Sequence, residues 1–169
     1  EFVELVRSYD TWNWFLTDNQ KAKGLSDLCG IQGLDAFEEN MIEKLKIGVI
    51  FSPEDEKSIE LEKEKRKIYF KRKKSKLIKL ELHRYKVGAV FAEQYISELG
   101  NILAQENEEL DFIAIFTGKR VSFRTVKDNI NLGEFCKEHY GGGGHDKAAG
   151  MEVSNEILEK IFKIILNAP

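Results

Sequence analysis

The spacing of apolar residues along the chain is helical at first and, from near Lys76, alternates between strand-like and helical periods. Between Leu34 and Lys46, the residues Leu34, Phe37, Met41, Ile42 and Leu45 recur at helical intervals, which predicts an amphipathic helix stopped at Gly48. Phe2 to Arg7 reads as the end of a helix, and the aromatic YDTWNW stretch after it, Tyr9 to Trp14, reads as a turn or loop. Pro53 then opens the charged segment SPEDEKSIELEKEKRKIYFKRKKSK. Glu62 and Arg66 are four residues apart there, and Glu60 with Lys63 and Glu64 with Lys67 are three apart, a pattern that predicts an exposed connecting helix.

A new domain is expected to begin near Lys76, where the period falls to two. Ile78, Leu80 and Leu82 alternate as in a strand, and Val87 to Phe91 makes a second short strand. Helical spacing returns from Ala92 to Gln105 through Ile96, Leu99 and Leu103, and Phe112 to Phe116 is an apolar strand. After a tight turn at Thr117, Gly118 and Lys119, the strand Arg120 to Thr125 alternates, with Val121, Phe123 and Thr125 on one face and Arg120, Ser122 and Arg124 on the other. Asn131 with Glu134 signals an N-cap, followed by the stripe Leu132, Phe135, Cys136 and His139. Ser154 caps a last helix whose stripe of Ile157, Leu158, Ile161, Phe162 and Ile165 is expected to pack against the domain.

Composition bounds the picture. The chain has 169 residues, 42% apolar and 33% charged with a formal net charge of -3, the profile of a globular protein rather than a disordered or fibrous one. No apolar run approaches the roughly 18 residues a membrane span needs and no secretory signal is present, so no membrane partner and a cytoplasmic location are expected. Cys29 and Cys136 are too few and too far apart for a disulfide framework or a zinc site, and are expected to be inert thiols. The basic run Lys71 to Lys74 follows so many acidic residues that it reads as a solvated face rather than a nucleic-acid patch.

The stretch with the strongest chemical signal is YGGGGHDKAAG, Tyr140 to Gly150. It joins a short helix to the last part of the chain, not one domain to another, which is the wrong place for a slack linker. It lacks the Lys and Ser or Thr of a P-loop and is not a GxGxxG after a strand. Two readings stay open on composition alone. In one, backbone N–H groups of the glycines converge on a phosphate beside His145, with Ala148, Ala149 and Gly150 leaving room; in the other, this is a structural turn whose histidine bonds to backbone.

GGGGHDKAAG preceded by VSFRT resembles the signature of the DHHA1 domain, the C-terminal half of DHH-family phosphoesterases. YDTWNW, the charged connector and YKVGAVFAEQYISELGN together resemble the oligoribonuclease B type. The resemblance implies an α/β fold, a small central β-sheet flanked by helices, preceded by a helical remnant of the DHH lobe and a long connecting helix. It implies division into residues 1–51 as the end of the DHH lobe, 52–75 as the interlobe connector and 76–169 as the substrate-binding domain.

The family's activity is two-metal hydrolysis of short oligoribonucleotides or dinucleotides, typically with manganese held by the DHH lobe. No Asp-His-His triplet occurs in this sequence, so the chain is expected to be a C-terminal fragment without activity of its own and without a tightly bound cofactor, its missing DHH lobe acting in cis. Short RNA or a dinucleotide is the expected partner, with a homodimer possible. The phosphate-binding residues implied are Ser122, Arg124, Gly141, Gly142, Gly143, Gly144, His145, Ala149 and Gly150. Asp10 is a candidate metal ligand or the cap of a turn, and Trp12 and Trp14 are either base-stacking or packing residues. The alternative is a non-catalytic nucleic-acid-binding DHHA1 module of the alanyl-tRNA synthetase type.

Overall fold

A computed structural model describes residues 1–167, which fall into two compact units, Glu1–Ile68 and Tyr69 onward. The first unit contains α1 (Phe2–Asp10), α2 (Asn13–Leu16), α3 (Gln20–Gln32), α4 (Leu34–Lys46) and most of α5 (Pro53–Lys74). It builds a core of its own: Leu5, Trp14, Ala22, Leu25, Leu28, Phe37 and Met41 are all buried together, with Ile59 of α5 packed against them. Both tryptophans belong to this packing, Trp14 stacking on Tyr9 and meeting Trp12 edge-on.

The expected loop from Tyr9 to Trp14 is largely helical, α1 continuing to Asp10 and α2 starting at Asn13. Helix α3 carries no clear amphipathic pattern because two of its buried residues are charged. Asp27 accepts both guanidinium nitrogens of Arg66 at 2.7 and 2.8 Å and also pairs with Lys23, with all three side chains buried. Such a pair is stable only while both signs are present. Helix α5 begins with a capping box, in which Asp55 N–H donates to Ser52 Oγ at 3.2 Å and Asp55 Oδ2 accepts from Ser52 N–H at 2.7 Å. It is not exposed throughout: Asp55, Arg66, Tyr69, Phe70 and Lys73 are buried.

The second unit is a mixed six-stranded sheet in the order β1-β2-β3-β4-β6-β5. Its strands are β1 (Ile78–Leu82), β2 (Tyr85–Phe91), β3 (Phe112–Phe116), β4 (Arg120–Arg124), β5 (Gly143–Gly144) and β6 (Ala148–Glu152). Only β2 and β3 run parallel, joined by the crossover helix α6 (Ile96–Glu106); the other neighbours are antiparallel. Helix α7 (Leu132–Tyr140) precedes β5, and α8 (Asn155–Leu166) ends the described chain.

Strand alternation divides the core in two. Val90, Ile113 and Ile115 meet Leu99 and Leu103 of α6, while Val87, Phe112, Phe123 and Ala149 meet Leu132, Phe135 and Cys136 of α7. Each large side chain buried this way contributes about 1.5–3 kcal/mol, which fixes which face each strand residue presents. Helix α8 corrects the sequence expectation of a packed terminal helix. Its cap is as expected, Ile157 N–H donating to Ser154 Oγ at 3.3 Å, but no residue of α8 is buried and Phe162, Ile164 and Ile165 stay exposed.

Replacing Asp27 by Ala removes the carboxylate shared by two buried cations and should cost the first unit about 3–5 kcal/mol. Urea denaturation, together with amide exchange read at α3, checks this; a loss under 1 kcal/mol, the range of an exposed pair, would mean that the pair is not buried in solution.

Candidate functional site

The even-numbered residues of β4 look toward α6. Arg124 pairs in register with Ala148 of β6, and Ser122 pairs with Gly150. One strand further out Gly150 pairs with Gly143, and His145 closes the β5–β6 hairpin on Ala148, with His145 N–H donating to Ala148 O at 2.8 Å. Two cross-strand rows result, Arg124–Ala148–His145 and Ser122–Gly150–Gly143. With Cα atoms about 5 Å apart across each antiparallel step, His145 lies about 10 Å from Arg124 along its row.

These rows gather Ser122, Arg124, Gly143, His145 and Gly150 from among the predicted residues. Ala149 and Gly144 alternate onto the other face, where Ala149 is buried under α7. Gly141 and Gly142 form the exit from α7. Gly141 takes the left-handed conformation at φ 65°, and Gly142 N–H donates to Cys136 O at 3.1 Å.

The glycine run is therefore part of a hairpin, and two N–H groups of the Gly142–His145 stretch are committed inside the fold. A Cβ at Gly142 would come within 2.3 Å of Gly150 O, and one at Gly144, where φ is +148°, within 2.4 Å of Ala148 O. The first turn of α7 presses on the same strand, since a Cβ on Gly133 would lie 2.6 Å from Gly144 O. Gly143 differs from its neighbours: a Cβ there meets nothing within 4 Å, and its φ is not in the left-handed region. The chain itself supplies no reason for glycine at that position, which faces outward beside Gly150 and Ser122.

Arg124 is held rather than free. Its stem crosses α6 where Gly100 leaves room, a Cβ there coming within 2.6 Å of Arg124 Cγ. Its guanidinium donates to Ser97 Oγ and to Phe123 O, both at 2.8 Å. Burial pushes the guanidinium below its ordinary pKa, and among the described residues its partners are these neutral oxygens. Within the fold the guanidinium is bonded only to neutral acceptors, which leaves it able to take a charge-assisted hydrogen bond to an anion. Ser97 was missed by sequence reading because its role depends on where α6 crosses β4, which no local pattern encodes.

Other candidates have different surroundings. Asp10 ends α1 and rims an apolar recess of about 340 Å³ with Val6, Leu25 and Phe37. Among the described residues no three His, Cys, Asp or Glu side chains are grouped to hold a metal ion, so these residues do not fit a two-metal centre. His83 and His139 stack at 4.2 Å beside a recess of about 390 Å³ that contains none of the predicted site residues. Burial pushes the Cys136 thiol up to about 11, as expected for an unreactive cysteine.

Residues 85–168 match the family model described as the DHHA1 domain. Over 163 residues the chain is 44% identical to oligoribonuclease NrnB of Bacillus subtilis (strain 168), aligning 94% of this chain with 41% of that protein. The chain belongs to the DHHA1 family. It thus spans about two fifths of the length of that curated relative.

Solved structures resemble this DHHA1 chain distantly. An uncharacterized protein from Helicobacter pylori G27 aligns at TM-score 0.44 and 19% identity, covering 98% of this chain and 58% of its own. A pGpG-specific phosphodiesterase from Vibrio cholerae aligns at TM-score 0.42 and 17% identity, covering 68% and 42%. Among the described residues no helix is long and apolar enough to cross a membrane.

Alanine substitutions along the glycine run should separate its roles. Gly142→Ala and Gly144→Ala drive a methyl group into backbone oxygen and should each destabilise the second unit by about 1–3 kcal/mol, whereas Gly143→Ala should stay within about 0.5 kcal/mol of wild type. Equal effects at all three positions in chemical denaturation would contradict the hairpin geometry.

Proposed function

We propose that this chain is the substrate-binding portion of a DHH-family phosphodiesterase that hydrolyses short oligoribonucleotides or dinucleotides. On this reading residues 1–51 are the end of the DHH lobe, 52–75 the connector and 76–169 the domain that grips the substrate. The metal ions, manganese by expectation, belong to a lobe outside these residues, and the chain alone does not turn substrate over. The 44% identity to an oligoribonuclease runs through 94% of the chain, first unit included, which favours this reading over an isolated tRNA-binding module.

One observation carries the proposal: Gly143 is a glycine with no internal need to be one, on the same face as the incompletely paired guanidinium of Arg124. A phosphate seated there would meet Arg124 on one side and the imidazole of His145 on the other, with Ser122 as a further donor and bare backbone at Gly143 and Gly150 beneath it. The contribution of this chain is to bind and orient the phosphodiester, and such positioning is a large part of what accelerates phosphoryl chemistry.

Titration of the chain with the 5′-phosphorylated dinucleotide pApA, followed by amide chemical shifts, tests it. Perturbation should centre on Gly141 to His145 and Arg124, and Arg124→Gln and His145→Ala should each weaken binding about tenfold, the worth of one charge-assisted hydrogen bond. Affinity unchanged in both variants would overturn the reading.

A further inference from the structure

Strand β1 lies at the edge of the sheet farthest from β6 and β5. Its neighbour β2 covers one side only, in a register that sets Leu80 against Val87 and Leu82 against Tyr85, across the turn at His83 and Arg84. In such a two-residue hairpin the closing pair exchanges both backbone hydrogen bonds. Ile78, Leu80 and Leu82 therefore bond to β2, while Lys79 and Glu81 turn their N–H and C=O groups outward. Lys86, opposite Glu81, has the matching phase: its N–H donates to Asp111 Oδ2 at 2.8 Å and its C=O accepts from Asp111 N–H at 2.7 Å, on the side away from β1. The apolar residues of the edge are open as well, Ile78 being 60% exposed and Leu80 39%.

Exposed edges are ordinarily blunted by charge, proline or a bulge, since bare N–H and C=O groups template another strand. The charges of β1 do not blunt it against itself. Turned end for end about Leu80, the strand IKLEL sets Lys79 opposite Glu81 of a second copy, Leu80 opposite Leu80 and Ile78 opposite Leu82. The same register joins the outward backbone groups of Lys79 and Glu81 as hydrogen-bonded pairs. A shift of two residues either way brings Lys79 onto Lys79 or Glu81 onto Glu81, with like charges directly opposite. We propose that β1 is the edge through which two copies of this chain pair, antiparallel about a two-fold axis at Leu80, so that their sheets continue into one. Lys79 meets Glu109 of its own chain, but that pair is exposed on both sides and worth little, which leaves the ammonium free to serve Glu81 of the other copy. The pairing stands independently of the phosphate-binding reading and leaves the candidate site on β4, β6 and β5 open at the far side of the sheet.

Sedimentation equilibrium of the chain from micromolar to millimolar concentration tests this, with charge reversals at the two exposed edge positions. Wild type should pass reversibly from one copy to two as concentration rises. Lys79→Glu and Glu81→Lys should each weaken self-association at least about tenfold, because each sets like charges opposite one another, while the amide spectrum stays that of the folded chain. An equimolar mixture of the two variants should pair again, since every acid then faces a base, and the double variant should pair with itself. A loss that the mixture does not restore would mean that the charges act within one copy rather than across β1, and would overturn the inference. Wild-type pairing that neither variant weakens would place the contact on another surface, such as the apolar face of α8, and overturn it too. A wild type that remains a single copy at millimolar concentration would do the same.

Discussion

The antiparallel register that runs from β3 through β4 to β6 is the constraint on which the rest of the second unit depends. It is pinned on one side by Phe123, which must reach the aromatic core under α7, and on the other by Ile113 and Ile115, which must reach α6. A slip of one residue would bury Ser122 and Arg124 among phenylalanines and expose Phe123 and Val121. Hydrophobic burial thereby decides where the charged and hydroxyl side chains emerge, although none of them takes part in the core. Arg124 shows the limit of this arrangement, since its stem lies beneath α6 only because position 100 is glycine.

The glycine run turns the same register outward to the edge of the sheet. Gly142 and Gly144 let two backbones approach more closely than any side chain allows, and Gly141 ends α7 in a left-handed turn. Three of the four are thus accounted for by folding, which narrows the search for a ligand contact to Gly143. The structure and the reading of the stretch as chemically active are compatible, because one hairpin meets both demands at different residues.

Much of this was legible in the sequence wherever one face of an element is apolar. The alternation of β4 and the Asn131 cap of α7 follow from spacing and appear where spacing puts them; helix α4 does too, but of its stripe only Phe37 and Met41 are buried while Leu34, Ile42 and Leu45 stay exposed. Helix α3 was not legible, because Lys23 and Asp27 occupy buried positions that a hydrophobic pattern marks as surface. Strands β5 and β6 were hidden for another reason: glycine and alanine have little strand preference, and β6 is held by β4 from 24 to 32 residues away while β5 pairs only with β6. The stripe of α8 was legible, but spacing states only that a helix has an apolar face and not that anything in these residues covers it. Within the candidate site, the hydrogen bond from Arg124 to Ser97 is a tertiary fact with no local signal.

The hairpin turn at Asp146 and Lys147 is fastened at several points. Asp146 O accepts from Leu132 N–H at 2.9 Å, Lys147 O accepts from Thr125 N–H at 3.2 Å, and Lys147 Nζ meets Asp128 at 2.7 Å. A slack tetraglycine loop would surrender about 1–2 kcal/mol of conformational entropy per residue each time a ligand ordered it. Here that loss has been met once, during folding, so under the proposed reading a phosphate at His145 would encounter a preorganised backbone and keep its contact energy as affinity.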